Sequence, residues 1–348
     1  MVKNTANVYN MKTKLWLLLL LAIPVNIWAQ DGSKLHLLLE ARGDYQRDYV
    51  DKEAIKDDCG FKGKYLNVIL TGDITPQVSY AYRQRLNKIH KNSSFFDATD
   101  WLYLNYQATQ HLSFSGGKQV VGVGGYEYDL APINLYFCSE FWNNIPCYQW
   151  GASASYAITK NDKLTFQFCE SPFRSFYEHA DMYAYNLMWN GSHGIWSTIW
   201  SINMLEWQEG KFINYISLGN EIRLARNATL QLDYLNRAVS HQTFLFKDCS
   251  IVGEIAYQPT NKANIYVKAS YDVNKSDNDA DLMVHRGTEL TRIGAGVEYY
   301  PLENKNLRIH ANYSYAWGTN SNATGTMQDK QSLIDLGLTW RMNIINKN

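Results

Sequence analysis

Apolar and polar residues alternate with period two from Leu35 to Ile344, and this is the dominant pattern in the chain. Leu230, Leu232 and Tyr234 alternate with Gln231 and Asp233. Ile265, Val267, Ala269 and Tyr271 alternate with Asn264, Tyr266, Lys268, Ser270 and Asp272. Ile293, Ala295, Val297 and Tyr299 are set against Arg292, Gly294, Gly296 and Glu298. The last segment sets Ile334, Leu336, Leu338, Trp340 and Met342 against Asp335, Gly337, Thr339 and Arg341. Successive side chains of a strand point to opposite faces, so each segment reads as a β-strand with one apolar and one polar face.

A soluble sandwich with one wet face would show the same alternation. Segment number and connection length argue for a barrel. The segments are about ten residues long and number roughly sixteen, the signature of a transmembrane barrel. Short turns are expected at 72–76, 109–111, 159–162, 190–193, 226–227, 258–261 and 301–304. Longer loops are expected at 48–60, 87–100, 121–146, 171–181, 240–245, 274–289 and 319–331. Short periplasmic turns facing long outer loops are the asymmetry of an outer-membrane barrel. Outward Tyr257 and Tyr299 each precede a short turn, where an aromatic girdle would meet lipid headgroups. In hydrocarbon every strand edge needs a partner, so the sheet closes on itself. The expectation is an all-β fold: a transmembrane antiparallel β-barrel of about sixteen strands, wide enough for an aqueous lumen. No plug-sized segment precedes the first strand at Leu35.

The N-terminus points to export. Lys3, Lys12 and Lys14 precede the apolar run from Leu15 to Val25, and Ala29 offers a small-residue exit. Residues 1–29 therefore read as a signal peptide cut between Ala29 and Gln30, leaving 30–348 as the barrel in a Gram-negative outer membrane. The chain is 14% aromatic, with 25 Tyr and 11 Trp, which suits interfacial belts. Net charge is zero, so no global field recruits nucleic acid. The expected partners are outer-membrane lipid and small hydrophilic solutes or ions. Five cysteines form no complete disulfide set; Cys138 and Cys147 could close one loop or remain free.

Enzyme motifs are missing from the sequence: it contains no G-x-S-x-G, H-E-x-x-H or P-loop, and it calls for no cofactor or metal. Gly122-Val123-Gly124-Gly125 reads as a tightly bending loop. His310 faces the lumen by parity and reads as a solvated wall residue. The candidate pore-lining set comprises Arg42, Arg83, Arg85, Lys118, Lys268, Arg292, Arg308 and Arg341 on the wall. Asp233, Glu254, Asp272, Glu298 and Asp335 are available to pair with them. Arg83 and Arg85 look least neutralised and are the first choice for an anion contact. The longest loop, Val121 to Pro146, carries Glu127, Asp129 and Glu140 with many apolar residues and no Lys or Arg. It is expected to fold inward, its acids facing the basic wall across a transverse field. An outer-membrane barrel enzyme, or a surface-binding barrel with a blocked lumen, would carry the same strand pattern.

Several segments resemble the phosphate-selective porin O and P family in its Bacteroides-type form. They are Tyr80-Ala81-Tyr82-Arg83-Gln84-Arg85-Leu86-Asn87, Phe95-Phe96-Asp97-Ala98-Thr99-Asp100-Trp101, Gly116-Gly117-Lys118-Gln119-Val120-Val121 and Gln328-Asp329-Lys330-Gln331-Ser332. The likeness runs over nearly the whole mature chain. It implies a barrel of about sixteen strands, an inward third loop and a homotrimer. It also implies that Arg83 and Arg85 line the pore, with Lys118 in the family's G-K position. Two features depart from the family: acids interleave with the bases, and Ile345-Asn346-Lys347-Asn348 trail the last aromatic.

Overall fold

A computed structural model describes residues 34–89, 94–177, 181–239, 245–322 and 330–347. The signal peptide read at 1–29, with its cut after Ala29, lies outside the described residues, as do most of the 240–245 loop and much of the 319–331 loop.

Sixteen long strands and one two-residue strand form a single antiparallel sheet. They are β1 (Leu35–Val50), the short β2 (Glu53–Ala54), β3 (Gly60–Thr75), β4 (Val78–Arg85), β5 (Thr99–Gln107), β6 (Leu112–Val120), β7 (Tyr148–Ala157) and β8 (Asp162–Glu170). Then follow β9 (Tyr183–His193), β10 (Trp196–Gln208), β11 (Lys211–Ala225), β12 (Ala228–Val239), β13 (Asp248–Thr260), β14 (Ala263–Asn274), β15 (Glu289–Tyr299), β16 (Leu307–Thr319) and β17 (Lys330–Lys347). Each long strand pairs with its sequence neighbours, and β1 pairs with both β3 and β17, which closes the barrel. Closure leaves no long strand with an unpaired edge in the hydrocarbon.

The two faces follow the sequence parity. Ile265, Val267, Ile309 and Leu336 are 45–49% exposed, whereas their alternating neighbours Lys268, His310 and Asp335 are at most 3% exposed. The apolar set therefore faces outward and the polar set inward. Tyr257 and Tyr299 are both exposed on the outward face, as the girdle reading required.

Four connections and the C-terminus differ from expectation: the turns expected at 72–76 and 258–261 lie at Pro76-Gln77 and Asn261-Lys262, because β3 and β13 stay paired through Thr75 and Thr260. The β9–β10 turn lies at Gly194-Ile195, where Gly194 takes φ +65°, and not at 190–193. At the long-loop end, β10 and β11 meet in a tight hairpin at Glu209-Gly210 that the alternation did not mark, because Gly210 at φ +69° turns the chain in two residues. At the C-terminus β17 continues through Lys347, with Ile345 opposite Leu37, so the trailing residues are part of the barrel.

An apolar cluster sits inside the outer half of the barrel. Val121, Val123, Tyr128, Phe141 and Ile145 of the third loop pack on Tyr215 and Leu235 of the wall and on Met283 and Val284 of the loop after β14. All five cysteines are free thiols, so Cys138 and Cys147 do not close a loop. Burial pushes the Cys138 thiol up to about 12 and the Cys147 thiol up to about 11.

Candidate functional site

The third loop folds into the lumen, as its apolar content implied. It carries the short helices α1 (Tyr126–Asp129) and α2 (Glu140–Asn144). Its neck is closed by the Val121 amide donating to the Cys147 carbonyl at 2.9 Å. The glycine run then lies flat on the wall: the Gly122 amide donates to Gln167 Oε1 at 2.7 Å and the Gly124 amide to Ser201 Oγ at 2.8 Å. A Cβ on Gly124 would lie 2.5 Å from the Ile199 carbonyl oxygen, and Gly125 adopts φ +112°. Only glycine permits this approach and this turn together.

Beyond the glycines the loop is held by charges. Asp233 of β12 accepts from the Tyr126 and Glu127 amides at 2.8 Å each, placing a carboxylate at the start of α1. Glu127 meets Lys268 of β14 at 2.7 Å, and Glu140 meets Arg292 of β15 at 3.4 Å. Arg42 donates to the Leu135 carbonyl at 2.7 Å and Arg308 to the Ile133 carbonyl at 3.1 Å. Arg308 and Arg341 both donate to Asn134 Oδ1, at 3.0 and 3.1 Å. The wall bases are in turn paired with wall acids: Arg42 with Asp44 at 2.7 Å, Arg308 with Glu298 at 3.2 Å and Arg341 with Glu40 at 3.2 Å.

This corrects the transverse-field expectation. Glu127 and Glu140 do not face the bases across water; they touch them and act as struts. Asp129 differs, remaining exposed with no ion pair among the described residues. The reason is direct: the loop crosses so close to β12–β17 that opposite charges meet at contact distance.

Asp44, His310 and Asp335 gather at the base of this arrangement. His310 Nε2 lies 3.2 Å from Asp44 Oδ1 and 3.0 Å from Asp335 Oδ1. The Tyr136 ring covers the imidazole with centroids 4.3 Å apart. His310 is therefore lumen-facing, as its parity indicated, but buried and not solvated. Gly337 makes the room, because a Cβ there would sit 2.2 Å from Asp44 Oδ1. The three side chains have the chemistry of metal ligands, yet Arg42 already places a cation on both carboxylates, at 2.7 and 3.6 Å.

Arg83 and Arg85 are both held by one carboxylate. Asp100 Oδ2 accepts from Arg83 Nε at 2.8 Å and Arg85 Nε at 2.7 Å, leaving the trio one net positive charge. The bulge between β4 and β5 brings Asp100 inward, a placement that strict alternation hides. Arg83 also stacks on Trp101 with 4.0 Å to the ring centroid and bonds to the Tyr148 hydroxyl. Arg85, Lys88 and Lys118 line an outer cavity of about 520 Å³ with Trp142, Tyr148 and Gln149. Lys118 follows Gly117, which takes φ +132°, and donates to the Phe96 carbonyl at 2.7 Å. A second cavity of about 620 Å³ opens at the short-turn end, lined by Ser79, Tyr103, Asn105, Ser113, Ser115 and Ser155.

One functional element escaped the sequence reading. The loop after β14 also folds inward: Arg237 of β12 pairs with its Asp281 at 2.6 Å, and Asn144 of α2 donates to the Met283 carbonyl at 3.0 Å. The available signal was the apolar run Leu282-Met283-Val284 inside an otherwise polar loop.

A closed barrel of sixteen long strands, cavities at both ends and an inward third loop define a porin-type outer-membrane barrel. Residues 36–196 match the model of the family phosphate-selective porin O and P, so the recognised resemblance holds from β1 to the start of β10. The Gln328–Ser332 segment lies beyond the matched span. Among solved structures, the chain is similar to the outer-membrane expressed OmpT of Vibrio cholerae at 13% identity and TM-score 0.63, covering 90% of this chain and 99% of that one. It is similar to an anion-selective porin from Comamonas acidovorans at 9% identity and TM-score 0.63, covering 89% and 100%. The trimer form of in-vitro folded OmpT of Vibrio cholerae matches at 13% identity and TM-score 0.60, covering 90% and 100%. At these identities the structural likeness establishes the fold. No curated protein sequence matches the chain.

Proposed function

We propose that the chain is an outer-membrane porin that lets small hydrophilic solutes or ions diffuse through its lumen, anions among them. The observation that carries this reading is the pair of water-open cavities, about 520 and 620 Å³, at the two ends of a closed barrel. Entry, selection beside the third loop and exit require no covalent step. The similar anion-selective porin and the residual positive charge of Arg83, Arg85 and Asp100 support passage of anions. The trimeric relative supports a homotrimer embedded in outer-membrane lipid, and the N-terminal pattern supports a signal peptide removed after Ala29.

Planar-bilayer conductance of the purified, folded protein tests the reading. Stable ohmic steps are expected, and folded protein without steps would overturn it. A second reading is a barrel that binds partners at its surface with its lumen blocked. It is favoured by the apolar cluster that fills part of the outer half, and silent bilayers would select it.

A further inference from the structure

We propose that the outer cavity is a binding site for organic anions that carry a ring, with aromatic monocarboxylates as the type. This rests on the porin reading and names the solute class that its outer entrance selects.

The cavity of about 520 Å³ is built from two unlike sets of residues. The first is basic: Arg85 at the end of β4, Lys88 just beyond it and Lys118 near the end of β6. The second is apolar and comes from the third loop, with Pro132, Trp142, Ile145 and Pro146. Tyr148 at the start of β7 joins the two, its ring centroid 5.5 Å from the Arg85 guanidinium.

The lining stays positive after its pairs are counted. Arg174 and Glu170 pair with each other, and Asp100 serves both Arg83 and Arg85. Lys88 and Lys118 then outnumber Asp97. Among the described residues Arg85 uses only its Nε, on Asp100, so its two terminal nitrogens stay available to an incoming carboxylate.

A small inorganic anion would use the charges and leave the apolar residues idle. A carboxylate on a ring uses both. Its oxygens take paired hydrogen bonds from Arg85, and its ring buries apolar surface against Trp142 and the prolines. Small-molecule sites generally occupy about 300–1,000 Å³, with apolar and aromatic walls and a few charged groups that fix orientation. At the other end of the barrel Lys34 and Lys163 outnumber Asp73 around the cavity of about 620 Å³, so an anion leaving the site meets base again.

Block of the ionic current through the full-length protein in planar bilayers tests this. Benzoate is expected to interrupt the current at about a tenth of the concentration that acetate or inorganic phosphate requires, and benzyl alcohol is expected not to interrupt it. Arg85→Gln, which leaves Arg83 on Asp100, is expected to raise the half-blocking concentration of benzoate about tenfold. Trp142→Ala is expected to raise that of benzoate but not that of acetate, which separates the ring contact from the charge. The comparison of solutes uses the unsubstituted protein and so stands even where a variant fails to fold. Equal block by benzoate and acetate, stronger block by phosphate, or benzoate block unchanged in either variant would each overturn the proposal with the channel intact. Folded protein without any conductance would instead remove the porin reading, and the proposal with it.

Discussion

Two arcs of one barrel solve the problem of a polar interior differently. From β4 to β10 the inward residues are mainly hydroxyls and amides, and Asn203 extends the chain by donating to Asn186 Oδ1 at 2.7 Å. From β12 through β17 to β1 they are ions: Asp233, Lys268, Asp272, Glu298, Arg308, His310, Asp335, Arg341, Glu40, Arg42 and Asp44. Beyond its glycine run, which lies on Gln167, Ser201 and Asn203 of the neutral arc, the third loop covers the ionic arc. Buried charges need partners, and a loop rich in carbonyls and carboxylates supplies them. Away from the glycine run, the neutral residues of β5 to β7 can face water without such cover, because hydroxyls and amides are satisfied by water or by each other. The difference teaches that charges hold the loop from α1 onward, whereas its glycine neck rests on neutral hydrogen bonds.

The comparison breaks most sharply at Lys268. Replacing it with Met strands Glu127 beside Glu254 in a buried site, and the expected loss of stability is about 3 kcal/mol. Urea unfolding monitored by tryptophan fluorescence checks this, and adding Glu127→Gln should recover part of the loss if the two groups act as a pair.

Asp233→Ala removes the acceptor of two loop amides. A loss of about 1–3 kcal/mol is expected, with noisier and larger conductance steps as α1 detaches. Steps as quiet as those of the unsubstituted protein would show that the carboxylate does not restrain the loop.

Arg292→Gln should cost less, about 1 kcal/mol, because its bond to Glu140 is long and its side chain is partly wet. Smallest is Ser115→Ala on the neutral arc. It removes a hydroxyl that water can replace, so a change below about 1 kcal/mol is expected in the same unfolding curve. A larger effect there would erase the contrast between the arcs.

The barrel itself was legible in the sequence because alternation reports which face each residue takes, and closure follows from the solvent. The inward third loop was legible because its apolar residues had no reason to face water. Strand ends were less so: Gly194 and Gly210 turn the chain through left-handed backbone angles that alternation does not encode. The loop after β14 was missed because its apolar run is only three residues long and gains its meaning from Phe141 and Tyr215 across the lumen.

What the sequence by itself determined is local: period two, two faces per strand, and a set of inward charges balanced in sign. What only the tertiary structure decided is which charge meets which. Asp100 neutralises Arg83 and Arg85 through a bulge, Glu127 reaches Lys268 across the lumen, and His310 sits between Asp44 and Asp335 because Gly337 leaves space. These pairings join residues from 15 to 266 positions apart in the chain, the longest being His310 with Asp44. Charge interactions depend on distance in space and on burial, and neither is written in the order of residues.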